Sequence, residues 1–461
     1  MMDNHFADII LPLAVKGTFT YSIPEPAAGS VFEGSRVLVQ FGNKKLYSGI
    51  VSRIHNVPPT GRQAGTIERV LDPYPVVSSL QLKFWSWIAD YYMCSQGEVM
   101  KAALPSSLCL EGVTTIPVIE KYRPRTETFV RLSSGFTASY LNETLDKLSK
   151  APKQYDLLVD YLRISGYEEG YPPKPVLKTL LIRESHSSIA ACEALIRKNI
   201  LTAISLETGR LTDSLITPEP VKTLSNDQND ALESLRKCFT DKDIALLFGV
   251  TSSGKTEIYI HLIEEQLKKG KQVLYLLPEI SLTTQIIQRL NRHFGSVTGV
   301  YHSRFNNQEK VEIWNRVAGR GNGKNYSLII GARSALFLPF TDLGLIIVDE
   351  EQDGSYKQHD PSPRYNARDS AAVLAALHGA KTILGSASPS IESYYNAITG
   401  KYGLVELKQR YGSIRLPDII LANTREAYRK KLMVSHFTPQ LLEARDDALG
   451  REEQIILFQN R

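Results

Sequence analysis

Apolar positions change their spacing along the chain, and the changes mark out its parts. Between about residues 5 and 75, β-branched and aromatic residues fall in short runs at 7–11, 18–23, 35–41 and 47–52. Pro24, Pro26, Gly29, Gly34 and Gly42 punctuate them, the pattern of a small barrel or sandwich. Over 78–92, Leu80, Leu82, Phe84, Trp87 and Ile88 form a broad apolar face and predict a helix. From about 140 to 206, helical patterns alternate with short polar breaks. Residues 154–162 read as one amphipathic helix, 189–198 as a second capped by Ser187 or Ser188, and 200–206 as a β-run. Helix, turn, helix and strand suggest a winged helix; a linker domain that touches no ligand is the open alternative.

From about 220 onward the pattern is strand and helix in repetition. Strands are predicted at 244–248, 272–277, 299–301, 327–330, 345–348 and 382–384. Such alternation gives a parallel α/β sheet with ligands at the carboxyl ends of its strands. A further strand is expected at 454–458, an odd place for a fold to stop. No internal repeat or low-complexity tract is present.

Composition narrows the class without deciding it. With 461 residues the chain has room for several domains, and 43% apolar with 22% charged residues is ordinary for a soluble globular protein. A net charge of +5 permits nucleic-acid binding but does not establish it. Cys94, Cys109, Cys192 and Cys238 lack the paired spacing of a zinc site or a disulfide framework, and read as reduced thiols. Neither a signal peptide nor a membrane-spanning apolar stretch is visible. The expectation is a cytoplasmic protein with no membrane partner.

One octapeptide carries the chemistry: Gly249-Val250-Thr251-Ser252-Ser253-Gly254-Lys255-Thr256. It fits G-x-x-x-x-G-K-[ST] and lies between an apolar strand and a helix that opens with Glu257, the context a phosphate-binding loop requires. Backbone amides and the helix N-terminus favour phosphate there. Lys255 would reach the β- and γ-phosphates, and the Thr256 hydroxyl would bind Mg²⁺. The aliphatic run 345–348 then ends in Asp349-Glu350-Glu351-Gln352. Asp349 is placed to hold Mg²⁺ with Thr256, and Glu350 to position or polarise the attacking water. ATP and Mg²⁺ are therefore the expected cofactors.

Further motifs fall after predicted strands: Pro278-Glu-Ile-Ser-Leu-Thr283, His302-Ser-Arg304, Gly331-Ala-Arg333-Ser334 and Gly385-Ser386-Ala-Ser388. Small, hydroxyl and arginine residues suit a sugar–phosphate backbone. The stretch 356–368 interleaves aromatic and basic residues, among them Lys357, Arg364, Tyr365 and Arg368, so it can meet bases and phosphates.

With these motifs, and with Thr18-Phe19-Thr20-Tyr21, Trp87-Ile-Ala-Asp-Tyr-Tyr92 and Gly97-Glu-Val-Met-Lys-Ala-Ala-Leu-Pro105, the chain resembles superfamily 2 helicases. Within them it is most similar to the bacterial replication-restart primosomal helicase family. The resemblance implies a multidomain α/β protein. A small N-terminal β-barrel-like domain that binds 3′ DNA ends would span 1–108, a winged-helix domain 109–215, and a RecA-like, ATP-binding helicase lobe 216–440. The start of a second lobe would lie at 441–461.

An ATP-dependent 3′→5′ DNA helicase is implied, which recognises stalled or repaired forks and initiates primosome assembly. Its partners would be forked DNA with a nascent 3′ end, single-stranded DNA, primosome proteins and single-stranded DNA-binding protein. Phe19 and Tyr21 sit where the family stacks on the terminal nucleotide, with Thr20 in place of a common acidic residue. Gln228 matches the glutamine that reads adenine. Gln352 replaces a common histidine, and would couple the γ-phosphate to Gly385, Ser386 and Ser388.

The family extends past Arg461, so the chain is expected to be truncated, without the second lobe, its arginine finger and the zinc module, whose ligands the sequence does not contain. It is expected to bind DNA, to bind ATP weakly and to unwind little. A non-hydrolysing fork-binding protein and another superfamily 2 translocase are the alternatives.

Overall fold

The computed structural model describes residues 5–42, 45–59, 64–114, 121–122, 125–133, 138–167, 174–207, 218–279, 284–321, 323–409 and 418–458. Residues 280–283 of the motif after the second sheet strand, and 459–461 at the chain end, lie outside them. The chain divides into two units, 1–409 and 410–461.

In the first unit, strands Phe6–Ile10, Phe19–Ser22, Arg36–Phe41, Lys45–His55 and Gly65–Val70 close into a barrel, with the fifth strand between the second and third. Alternation sends Ala7, Ile9, Tyr21, Val37, Val39, Val51 and Ile67 to its interior. The strand Gly65–Val70 has no counterpart in the sequence reading, because Ile67 is its one fully buried residue.

Two helices follow, Ser79–Tyr91 and Gln96–Ala103, each opened by a capping box, Ser78 with Gln81 and Ser95 with Glu98. Their apolar faces pack on the large sheet layer rather than on the barrel alone. Phe84, Trp85, Ile88, Val99 and Met100 share one buried cluster with Leu274, Leu276, Phe337, Tyr356 and Tyr365. The buried Gln81 Nε2 donates to the Phe337 carbonyl at 2.8 Å, which fixes the helix on that layer.

A smaller module has a three-stranded antiparallel sheet of Val176–Leu177, Thr126–Leu132 and Leu201–Glu207, with the middle strand central. Helices Ala138–Leu148, Pro152–Ser165, Lys178–Glu184 and Ile189–Arg197 accompany it. Leu157, Leu158, Tyr161, Leu181, Cys192 and Leu195 fill its core. Ser188 caps the last helix, its hydroxyl accepting from the Ala191 amide. This is a winged-helix architecture.

The largest element is a seven-stranded parallel sheet. Its order is Thr298–Tyr301, Leu328–Gly331, Gln272–Leu276, Leu343–Asp349, Lys381–Ser386, Ile244–Gly249 and Gly403–Leu407. The strand Gly403–Leu407 was not anticipated. Helices Asn226–Asp241, Lys255–Lys268 and Thr284–Phe294 cover one face, and Asn307–Val317 and Ala367–His378 belong to the cluster on the other. Burial on both faces explains why the inner strands are aliphatic throughout.

The second unit holds helices Thr424–Arg429 and Pro439–Gly450, and the expected domain boundary at 440 falls within the latter. The strand expected at 454–458 is not formed. Ile456 and Phe458 are 95% and 88% exposed, and no strand of that unit pairs with the segment among the described residues. An apolar run alone does not make a strand without a ladder partner. No helix of the described residues is long and apolar enough to cross a membrane.

Candidate functional site

Three neighbouring strands of the sheet end together, and the loops that leave them build one polar centre. The strand Ile244–Gly249 runs into a turn in which the Val250 amide donates to the Leu407 carbonyl at 3.1 Å and the Ser253 amide to the Val250 carbonyl at 3.0 Å. Ser252 and Gly254 take left-handed φ values of 65° and 88°, after which the helix Lys255–Lys268 begins. Gly254 has no room for a side chain, since a Cβ would lie 2.1 Å from Gln228 Nε2. The Glu257 amide donates to the Gly254 carbonyl at 2.9 Å, and the helix opens with the positive end of its dipole at the loop. Lys255 is buried, its ammonium donating to the Gly249 carbonyl at 2.8 Å. Ser253 Oγ is buried with no hydrogen-bond partner among the described residues. A glycine-turned loop, a buried cation and an orphan hydroxyl fit a phosphate chain. Thr251 is exposed and Thr256 half-buried, while Glu257 forms an ion pair with Arg289.

Gln228 lies behind the phosphate loop. Its Oε1 accepts from the Ser225 amide at 3.0 Å, and its Nε2 donates to the Ser253 carbonyl at 3.3 Å. Only 3% exposed, it braces the phosphate loop.

Asp349 ends the strand Leu343–Asp349 and pairs in register with Gly385. Its Oδ2 accepts from the Tyr275 hydroxyl at 3.0 Å and its Oδ1 from the Tyr259 hydroxyl at 3.2 Å. Burial pushes its carboxyl above the usual carboxylate range, against the pull of the Tyr275 hydroxyl. Tyr259 lies on the phosphate-loop helix three residues after Thr256, so the acidic strand and that helix are tied directly. The donor set of one hydroxyl and one carboxylate beside a phosphate loop fits Mg²⁺. Gly385 makes the tie possible, because a Cβ there would stand 1.8 Å from the Tyr259 hydroxyl oxygen.

Glu350 follows with a φ of 49°. Gln352 Nε2 donates to Glu350 Oε2 at 2.9 Å, and the Ser386 hydroxyl donates to Gln352 Oε1 at 2.6 Å. The Ser388 amide donates back to Ser386 Oγ at 2.9 Å. Glu350, Gln352, Ser386 and Ser388 thus form one hydrogen-bonded chain.

Glu351 was not singled out from sequence. Its carboxylate accepts from the Ser390 amide at 2.7 Å, the Ser393 hydroxyl at 2.9 Å and Arg368 Nη1 at 3.2 Å. Arg368 also pairs with Asp369 and donates to Ser390 Oγ at 2.8 Å. Arg368, expected at a DNA phosphate, has its guanidinium on a buried carboxylate.

The remaining expected DNA contacts divide by exposure. Arg304 and Arg364 are exposed. Arg333 is half-buried and donates to the Ser355 and Lys357 carbonyls at 3.1 and 3.4 Å, next to a half-buried Ser334. Lys357 Nζ donates to the Arg364 carbonyl at 2.6 Å. Tyr365 is 1% exposed and packs edge-on against Phe337 at 5.1 Å. On the barrel, Phe19 is half-buried against Phe41, but Tyr21 is 5% exposed with its hydroxyl on the Gln40 carbonyl at 2.9 Å. Barrel closure encloses the Tyr21 ring. Thr20 Oγ1 donates to Asp8 Oδ1 at 2.8 Å, and Asp8 also meets Arg53 and His55 at 2.9 and 3.1 Å. Burial would raise the Asp8 carboxyl, yet the Thr20, His55 and Arg53 contacts outweigh it and hold the group below its ordinary value.

Three stretches of the chain match known domain families. A 3′DNA-binding domain model of PriA matches residues 8–105, a PriA helicase winged-helix model of Bacteroidota matches 127–208, and a DEAD/DEAH box helicase model matches 225–397. The replication restart protein PriA of Bacillus subtilis is 30% identical over 99% of this chain and 62% of its own length. Those of Haemophilus influenzae and Chlamydia trachomatis are 33% and 31% identical, over 98% and 99% of this chain and 58% of theirs. The chain belongs to the PriA family. It spans about three-fifths of the length of these PriA relatives.

Two groups in this PriA-family site escaped the sequence reading. Glu351 adjoins a recognised motif, but its partners lie 17 to 42 residues away. Tyr259 and Tyr275 occupy apolar runs and read as core; only the pairing of two strands and the packing of the phosphate-loop helix on them reveal that both hydroxyls reach one carboxylate.

Proposed function

We propose that this chain carries the DNA-recognition and ATP-binding parts of an ATP-dependent 3′→5′ DNA helicase that acts at stalled or repaired replication forks. The observation that carries the reading is the tie between the phosphate-loop helix and Asp349 through Tyr259, in the same unit as a barrel matching a 3′ DNA-end-binding domain.

In this reading the amides of 251, 252 and 254–256 cradle the phosphates of ATP. Lys255 leaves the Gly249 carbonyl for the β- and γ-oxygens. Thr256 and Asp349 would hold Mg²⁺, which neutralises charge on those oxygens when bound. Glu350 orients the attacking water, its carboxylate held by Gln352. Through Ser386, Gln352 links that carboxylate to the loop ending at Ser388, so nucleotide and nucleic acid bear on one hydrogen-bonded chain. Arg304, Arg333 and Arg364 meet phosphates, with Lys357 beside them. Phe19 offers a partly open aromatic face at the barrel for a terminal nucleotide. The domain limits 1–108, 109–215, 216–440 and 441–461 belong to this reading. So do single-stranded DNA, primosome proteins and single-stranded DNA-binding protein as partners, and a cytoplasmic location.

The test compares forked DNAs with a leading-strand 3′-hydroxyl and a 3′-phosphate in equilibrium binding. The blocked fork should bind more weakly; equal affinity would remove the 3′-end reading and leave general DNA binding.

A further inference from the structure

The segment Trp87-Ile-Ala-Asp-Tyr-Tyr92 takes no part in the centre described above, yet it forms an ordered aromatic ladder. Phe84 is buried, and its ring lies 6.3 Å from that of Trp87 with 12° between planes. Trp87 in turn stacks on Tyr91 at 4.9 Å and 19°. Tyr91 is 63% exposed, so a nearly parallel stack that starts in the core ends with an aromatic ring in water. Tyr92 stands edge-on to both outer rings, at 6.0 Å from Trp87 and 4.9 Å from Tyr91. The ladder is held rigidly. Trp85 and Ile88, on the same helix, are fully buried, and the Asn366 amide donates to the Tyr92 hydroxyl at 3.0 Å.

Cations surround it. Lys83 is exposed and four residues before Trp87, hence on the Trp87–Tyr91 stripe of the helix. Lys357 Nζ lies 5.2 Å over the Tyr92 ring and bonds the carbonyl of the exposed Arg364. Asp90 is also exposed, but it projects about 100° around the helix from Tyr91. A rigid, open-ended stack among positive charges matches a nucleobase with its phosphates, because every base has a π-face and stacking needs no sequence.

We propose that Trp87, Tyr91 and Tyr92 are a stacking platform for unpaired bases of single-stranded DNA, with Lys83, Lys357 and Arg364 meeting the adjoining phosphates. The proposal rests on the DNA-binding reading above and adds to it a location that neither the barrel nor the strand-end loops supply.

Tryptophan emission of the 461-residue chain tests it. Trp85 and Trp314 are 0% and 1% exposed, so quenching by a short oligothymidylate reports on Trp87. An oligonucleotide of equal length with abasic sites across its centre is the control. Oligothymidylate should quench and bind more tightly than the abasic strand. Tyr91→Ala should weaken oligothymidylate binding roughly 5- to 100-fold with little effect on the abasic strand, and Tyr91→Phe should restore it. The platform is overturned if both strands bind equally, or if Tyr91→Ala binds as the parent does, while forked DNA is still bound; the face would then serve a protein contact. Loss of all DNA binding by the parent chain would instead remove the underlying reading.

Discussion

The Tyr21 hydroxyl donates to a backbone carbonyl inside the barrel, and its ring lies over Gly65, where a Cβ would come within 2.9 Å of it. That ring supports the fold whatever ligand the barrel takes. Tyr21→Phe should cost about 1 kcal/mol in denaturant unfolding and leave fork affinity unchanged, as expected for one lost hydrogen bond. A large fall in fork affinity at unaltered stability would return Tyr21 to the DNA surface. At Glu351 the same logic gives a larger number. Its side chain is fully buried and that of Arg368 only 14% exposed, so Glu351→Ala leaves a buried guanidinium with part of its pairing gone. The expected loss is about 3–5 kcal/mol, measured as a shift in unfolding midpoint at constant slope. A loss below about 1 kcal/mol would mean that Arg368 finds water, and would reopen its place on DNA.

Among the elements, the phosphate loop and the inner sheet strands were legible in sequence because their constraints are local. A glycine must precede Lys255 since the chain turns left-handed there against Gln228, and a strand covered on both faces must be aliphatic. Gly254→Ala is accordingly expected to cost about 1–3 kcal/mol and to abolish nucleotide binding, checked by thermal unfolding and titration with a fluorescent ATP analogue. Retained binding would mean that the loop has another open geometry. Other elements were hidden because distant partners decide them. Gly65–Val70 is mostly polar, yet it pairs with both Phe19–Ser22 and Arg36–Phe41 to close the barrel. Thr126–Leu132 becomes a central strand only between two others. Conversely, 454–458 is apolar enough to read as a strand and has none to pair with among the described residues. Tyr21, Tyr365 and Arg368 show the same division: residue type marks them for nucleic acid, while their burial is a property of closure and packing.

Across the whole of the first unit, the helices after the barrel do not form a separate core. Phe84, Trp85, Ile88, Val99 and Met100 join the cluster that includes Tyr356 and Tyr365 in the segment after the acidic strand end. The barrel's trailing helices and the nucleotide lobe are therefore packed as one layer, and a load on one bears on the other through close-packed side chains. That is the physical basis for expecting DNA and nucleotide to sense each other, and the effect must be reciprocal. The most direct measurement is the affinity of the chain for a fluorescent ATP analogue with Mg²⁺, taken with and without forked DNA carrying a leading-strand 3′ end, on the parent and on Lys255→Ala. The fork should shift nucleotide affinity by about fivefold or more. Lys255→Ala should lose the nucleotide while keeping the fork. Nucleotide binding that ignores the fork and survives Lys255→Ala would contradict an ATP-driven DNA motor.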